Sequence, residues 1–106
     1  MKPGPVLVDS FYHDVPADQH QGLLDMLVKQ PASAAAYVLK NPAYEEVDCI
    51  YVYCEDDRAL RLPAQKRTVG RLRESGVKMK EVLLPSGHFP FLSMPDKLLD
   101  AILEAV

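Results

Sequence analysis

The chain has 106 residues, 48% of them hydrophobic, with a formal net charge of -3 and a pI near 5.5. That is the size and apolar content of one small globular domain. Mild acidity supplies no basic field for nucleic acid or an anionic membrane, and no apolar stretch approaches the roughly 20 residues that a membrane-spanning helix needs. The amino end, "MKPGPVLVDSFYHDVP", has a lysine but no continuous apolar region and no small-residue cleavage site, so it does not read as a signal peptide. A soluble, cytoplasmic protein is expected.

Pro3, Pro5 and Pro16 make the opening segment read as irregular, with a weak apolar run at Val6 to Val8. From Asp18 to Lys29, Leu23, Leu24, Leu27 and Val28 recur at spacings of three and four, which predicts an amphipathic helix ended by Pro31. A further helical turn or two is expected over Ala32 to Leu39, before Asn41-Pro42 breaks the chain.

Val47 to Cys54, "VDCIYVYC", is rich in β-branched and aromatic residues and reads as a strand. Within it "CIYVYC" shows no polar alternation, the pattern of a parallel strand covered on both faces. Cys49 and Cys54 fall in this strand roughly 16 Å apart on opposite faces, too far for a disulfide, whose Cα atoms lie within about 7 Å. Free thiols suit a reducing compartment. An acidic turn, "EDDRAL", leads to a helix from about Pro63 to Ser75 with Leu62, Val69 and Leu72 as its inner stripe and Gly76 just past its end. Its Lys66, Arg67, Arg71 and Arg73 read as a solvated face. A second strand is expected from about Lys78 to Leu84, then the loop "SGHFPFLSMP". A last helix starts near Pro95, capped by Ser93 or Met94, with Leu98, Leu99, Ile102, Leu103 and Val106 expected in the core.

Strand, helix, strand, helix implies a parallel pair. Two parallel strands cannot bury their own faces and edges, and such sheets normally have several more. The chain is therefore expected to be the terminal portion of a larger sheet, or to complete its sheet with another chain.

In open parallel sheets, reactive groups gather beyond the carboxyl ends of the strands. Glu55-Asp56-Asp57 follows the first strand and His88 follows the second, so a carboxylate and an imidazole meet at one edge. A carboxylate on Nδ1 fixes the histidine tautomer and stabilises the imidazolium, as a general base requires. A turn-capping role, or pairing with Arg58, is the plain alternative for Asp57, and local backbone bonding for His88. His13 and His20 read as ordinary polar positions, and with the two cysteines they match no metal-ligand spacing, so no metal is expected. No phosphate-cradling glycine loop is present, so a nucleotide-binding domain is disfavoured.

The stretch "YCEDDRAL…Q" followed by "SGHFPFLSMPDKLLDAILE" resembles the carboxyl-terminal part of an α/β-hydrolase, closest to the small esterase and hydroxynitrile lyase branch. By that resemblance the catalytic acid stands three residues after the small residue ending a strand, which is Asp57 counted from Cys54, and the catalytic histidine is His88. "FYHDVPADQ" and the helices after it resemble the lid of the same family, where an Asn often replaces His13. The resemblance implies an α/β fold: lid-like helices over residues 1–46, then two parallel strands and two helices over 47–106, at the end of the sheet. It also implies hydrolysis of a small ester-like substrate without cofactor. The family's nucleophile sits in Gly-x-Ser-x-Gly, and none of Ser10, Ser33, Ser75, Ser86 and Ser93 stands in that frame. The expectation is the acid-and-histidine half of a hydrolase, inactive alone. The rival expectation is a non-catalytic chain that pairs with itself or with another hydrolase-like chain.

Overall fold

A computed structural model describes residues 4–106. Met1 to Pro3, the head of the segment expected to be irregular, lie outside the described residues. Two strands, β1 (Cys49–Cys54) and β2 (Met79–Leu84), form a parallel pair in the register Cys49 to Met79 through Cys54 to Leu84. The helix between them, α3 (Leu62–Glu74), packs on both strands, and α5 (Pro95–Ala105) packs on β2. Successive strand residues point to opposite faces. Glu81 pairs with Arg73 of α3 at 2.8 Å, whereas Lys80 donates to the Ala105 carbonyl of α5 at 3.2 Å. The two helices therefore cover opposite faces, one each.

The end of α3 follows its sequence closely. Gly76 adopts φ 94°, donating its N–H to Arg73, while Val77 donates to Leu72 at 3.0 Å. This pair of bonds is the Schellman arrangement, which a positive-φ glycine permits without steric strain. Inside the helix, Val69 is buried as expected, but Leu62 and Leu72 are only half-buried. Gln65, at 2% exposure, is the other buried residue of the stripe.

Departures concentrate at the two ends of the chain. Residues 5–11 form a helix, α1 (Pro5–Phe11), and the apolar run Val6 to Val8 lies within it. Pro5 occupies the first turn, where its missing N–H would have had no helical partner and its fixed φ suits the helix. The helix expected over Asp18 to Lys29 is a 3-10 turn (Ala17–Gln19) followed by a short α2 (His20–Asp25). Leu27 and Val28 lie beyond its end and are exposed. Short helices persist mainly through packing of their apolar face, and here Leu23 and Leu24 are only half-buried. Only a 3-10 turn (Ala32–Ala34) stands where one or two helical turns were expected, and another (Ala43–Glu45) follows Pro42.

The last helix departs differently. It forms where expected, with Met94 at its cap position, after a one-turn α4 (Pro90–Ser93). Its stripe, however, is not core: Leu99, Ile102, Leu103 and Val106 are exposed at 45–94%, and Ala101 is the buried residue. Ile50 on β1 is also exposed, so β1 is not covered on both faces. The chain presents 8087 Å² of accessible surface, where a compact monomer of this mass exposes about 5,900 Å². Its radius of gyration is 15.6 Å, against about 13 Å for a compact chain of similar length.

A polar contact across the sheet joins Tyr53 to Glu81, with Tyr53 Oη donating to the carboxylate. Burial first, and then this bond, push the Tyr53 phenol up to about 12. The same bond holds the Glu81 carboxyl below its ordinary value. A folded-state phenol above its ordinary 10.0 favours folding fully below that pH, and the contribution is lost as pH climbs through about 12. In ultraviolet titration one phenolate should therefore appear only near pH 12, and Tyr53→Phe should remove that step and return Glu81 toward ordinary carboxylate behaviour. A Tyr53 that ionises with the exposed tyrosines would contradict this assignment.

Candidate active site

The acid turn begins where β1 ends, and Gln65 holds that end. Its Oε1 accepts the Cys54 N–H at 2.9 Å, while its Nε2 donates to the carbonyls of Cys54 at 2.9 Å and Leu60 at 2.7 Å. One buried amide thus fixes both the last residue of the strand and the far side of the turn. The β-ladder carries on past the strands, with Glu55 N–H donating to Leu84 and Asp56 N–H to Ser86, both at 2.9 Å. The acid loop and the histidine loop are thereby tied together by backbone.

Asp57 is 6% exposed and divides its two oxygens. Oδ1 accepts the N–H groups of Ala59 at 2.8 Å and Leu60 at 2.9 Å, closing a turn of its own. Oδ2 lies 2.8 Å from Nδ1 of His88. The turn-capping alternative and the dyad geometry are thus both realised, one on each oxygen. Arg58 pairs with Asp9 of α1 and not with Asp57. Glu55 and Asp56 are exposed and do not bond His88.

A carboxylate oxygen is an acceptor, so the proton of a neutral His88 resides on Nδ1 and the lone pair on Nε2. The His88 side chain is 28% exposed. Phe89 stands edge-on to the imidazole at 4.6 Å and Phe11 of α1 lies tilted at 5.1 Å between ring centroids. Tyr12 stacks on Phe89 at 5.5 Å, so the N-terminal segment supplies one wall of the site. Phe11 also lines an apolar hollow with Leu7, Leu27 and Val28. Beneath the loops, burial pushes the Cys54 thiol up, reinforced by the negative charges of Asp57 and Asp14 and opposed by a bond with Ser86. Burial likewise raises the Tyr51 phenol.

Among the described residues, three of the five serines spend their hydroxyls on nearby backbone. Ser86 is fully buried and donates to the Gly87 carbonyl, Ser75 donates to Leu72, and Ser93 turns back to Phe89. Among the described residues, no group of three or more His, Cys, Asp or Glu side chains is placed to hold a metal, and no helix is long and apolar enough to cross a membrane.

Sequence reasoning missed three members of this neighbourhood. Gln65 stood in the quoted frame without a role. His13 donates from Nε2 to the Asp56 carbonyl at 2.8 Å, and Asp14 Oδ2 accepts the Gly87 N–H at 2.6 Å. A polar residue bonding across 73 positions leaves no periodicity to read. His20, also read as ordinary, bonds locally to the Val15 carbonyl.

A parallel strand pair with a carboxylate and an imidazole bonded at its carboxyl edge defines a mixed α/β protein of the hydrolase architecture. The sequence profile of the alpha/beta hydrolase family matches residues 2–101. The chain belongs to that family. None of the curated proteins matches it in sequence.

Gln65→Leu keeps the volume of the side chain but strips the buried Cys54 N–H and the part-buried Leu60 carbonyl of their partners, and leaves the Cys54 carbonyl only the Asp57 N–H at 3.3 Å. Unpaired buried polar groups cost about 1–3 kcal/mol each where relaxation or water does not rescue them. Equilibrium urea unfolding should show a loss of about 2–4 kcal/mol, and a loss within ~0.5 kcal/mol would mean that Gln65 does not hold the turn.

Proposed function

We propose that this chain carries the acid and base of a serine-hydrolase triad, and that the assembled enzyme hydrolyses a small ester or related acyl compound without a cofactor. The observation that carries the reading is the 2.8 Å bond between Asp57 Oδ2 and His88 Nδ1 at the carboxyl ends of two parallel strands. Asp57 orients the ring and stabilises the imidazolium. His88 Nε2 takes the proton of a serine hydroxyl as that oxygen attacks the ester carbonyl, then returns it to the departing alkoxide. Water repeats the cycle to release the acid. The serine comes from a Gly-x-Ser-x-Gly segment that these 106 residues do not contain. The aromatic and aliphatic wall of Phe11, Phe89, Leu7 and Leu27, with Lys29 beside it, suits an apolar acyl or alkoxy group.

The test has two arms. The 106-residue chain alone should give no burst with a nitrophenyl ester and no labelling by a serine-directed fluorophosphonate. In a protein that also carries the nucleophile, Asp57→Asn should lower kcat by about ten-thousand-fold, with His88→Ala at least as damaging. A serine-labelled, bursting isolated chain, or an Asp57→Asn enzyme with near-normal kcat, would overturn the reading.

A second reading is favoured by the surface. The exposed face of α5 and the accessible area, about 2,000 Å² above that of a compact monomer, exceed the roughly 800 Å² that each partner contributes to a standard interface. Under this reading the chain is a subunit that pairs with itself or with another hydrolase-like chain. Solution mass by light scattering should then exceed 11.8 kDa, with a concentration-dependent melting point. A cooperative monomer whose stability ignores concentration would exclude it.

A further inference from the structure

The two dyad residues sit on separate loops, and a pair of adjacent residues from the N-terminal segment grips both. Asp56 and Gly87 immediately precede Asp57 and His88. The Asp56 carbonyl accepts from His13 Nε2 at 2.8 Å, and the Gly87 N–H donates to Asp14 Oδ2 at 2.6 Å. On their other side the same loops meet each other, with Asp56 N–H donating to the Ser86 carbonyl at 2.9 Å. The Ser86–Gly87 peptide is therefore bonded at both ends, and both backbone groups of Asp56 are engaged. Little freedom is left in the backbone that aims either dyad side chain.

The fit is close enough to dictate a residue. A Cβ on Gly87 would lie 2.5 Å from Asp14 Oδ1, 2.9 Å from Asp14 Cγ and 2.9 Å from His13 Nε2. Any larger residue at 87 would displace the ends of the His13 and Asp14 side chains from the loop. Asp14 Oδ1 is buried and has no hydrogen-bond partner among the described residues. Its other oxygen, Oδ2, accepts the Gly87 N–H, and that bond holds the carboxylate against the loop. The segment is itself anchored on either side, by Tyr12 and Val15, each 4% exposed. Tyr12 stacks on Phe89, and the Val15 carbonyl accepts from His20 at 2.7 Å.

We infer that His13 and Asp14 are positioning residues: a two-residue clamp that sets the separation of the acid and histidine loops and so the Asp57–His88 bond. The inference rests on the reading of Asp57 and His88 as an acid–base pair. It makes the N-terminal segment part of the catalytic apparatus without touching the reacting atoms.

The readout is the Nδ1 proton of His88, followed by NMR in the full chain with folding checked by circular dichroism. In the wild type it should be a strongly downfield, slowly exchanging resonance, and Asp57→Asn should abolish it. His13→Ala and Asp14→Ala should fold yet lose or broaden that resonance. His13→Gln, which keeps a donor near Nε2, and Asp14→Asn, which keeps an acceptor for Gly87, should restore it. Alanine variants that retain the wild-type resonance overturn the clamp. Should Asp14→Ala fail to fold, the half-buried His13 decides alone: the same signal in His13→Ala and His13→Gln overturns the proposal, and its loss in the first with recovery in the second supports it. A resonance unaffected by Asp57→Asn would instead overturn the dyad reading, so the two failures are distinguishable.

Discussion

The buried amide of Gln65 is the contact on which the rest of the site depends. In a parallel strand, alternate residues turn their backbone groups to opposite edges. Cys49 and Glu55 donate toward β2, so Ile50, Val52 and Cys54 face the other edge. At Cys54 that edge is closed by a side chain, because Gln65 offers an acceptor and a donor in the spacing a neighbouring strand would use. The same Nε2 then reaches the Leu60 carbonyl and folds the acid turn back on the strand. A hydrophobic residue at 65 would suit the helix stripe but leave the strand end and the turn unpaired, which explains why a polar side chain sits among the most buried positions of the chain.

With the strand end fixed, the site needs few further parts. Asp57 spends one oxygen on its own turn and one on His88, so the turn that shapes the loop also aims the carboxylate. Backbone pairing between the loops carries the alignment outward from the sheet. His13 and Asp14 hold the far side, and Phe11, Tyr12 and Phe89 pack around the imidazole. The site is thus built by three segments distant in sequence, each contributing backbone or aromatic contacts around the Asp57–His88 bond.

How much of this was legible follows from the range of the interactions. The first strand announced itself through "CIYVYC", because β-branched and aromatic content is a local property, and the second through the short apolar run Val82 to Leu84 before the Ser86-Gly87 loop. Gly76 was legible because a helix end needs a positive φ there. Asp57 and His88 could be placed because strand order and loop position bring them to one edge, and the resemblance supplied the frame. Gln65 and Asp14 were hidden for the opposite reason. Their partners lie 11 and 73 positions away, and polarity by itself argues for the surface. The helices of the first half were over-extended on the strength of their apolar spacing, which records a face that wants burial and not a face that is buried. Pro5 is one of the prolines that make the opening segment read as irregular, yet its place in the first turn suits the start of a helix.

That distinction between wanting burial and having it explains the surface of the chain. Leu99, Ile102, Leu103 and Val106 on α5, Ile50 and Leu83 on the sheet, and Leu27 and Val28 after α2 are all exposed. They lie on different elements and different faces, so no small rearrangement of one loop could cover them together. The backbone groups of Ile50 and Val52 also line the edge away from β2, stopping where Gln65 closes it at Cys54. An added strand could pair along the first part of β1 but not beyond its last residue, which leaves the acid loop open toward whatever the strand carries. A sheet extended in that way would bury Ile50 and bring a new strand end to the edge where Asp57 and His88 already meet.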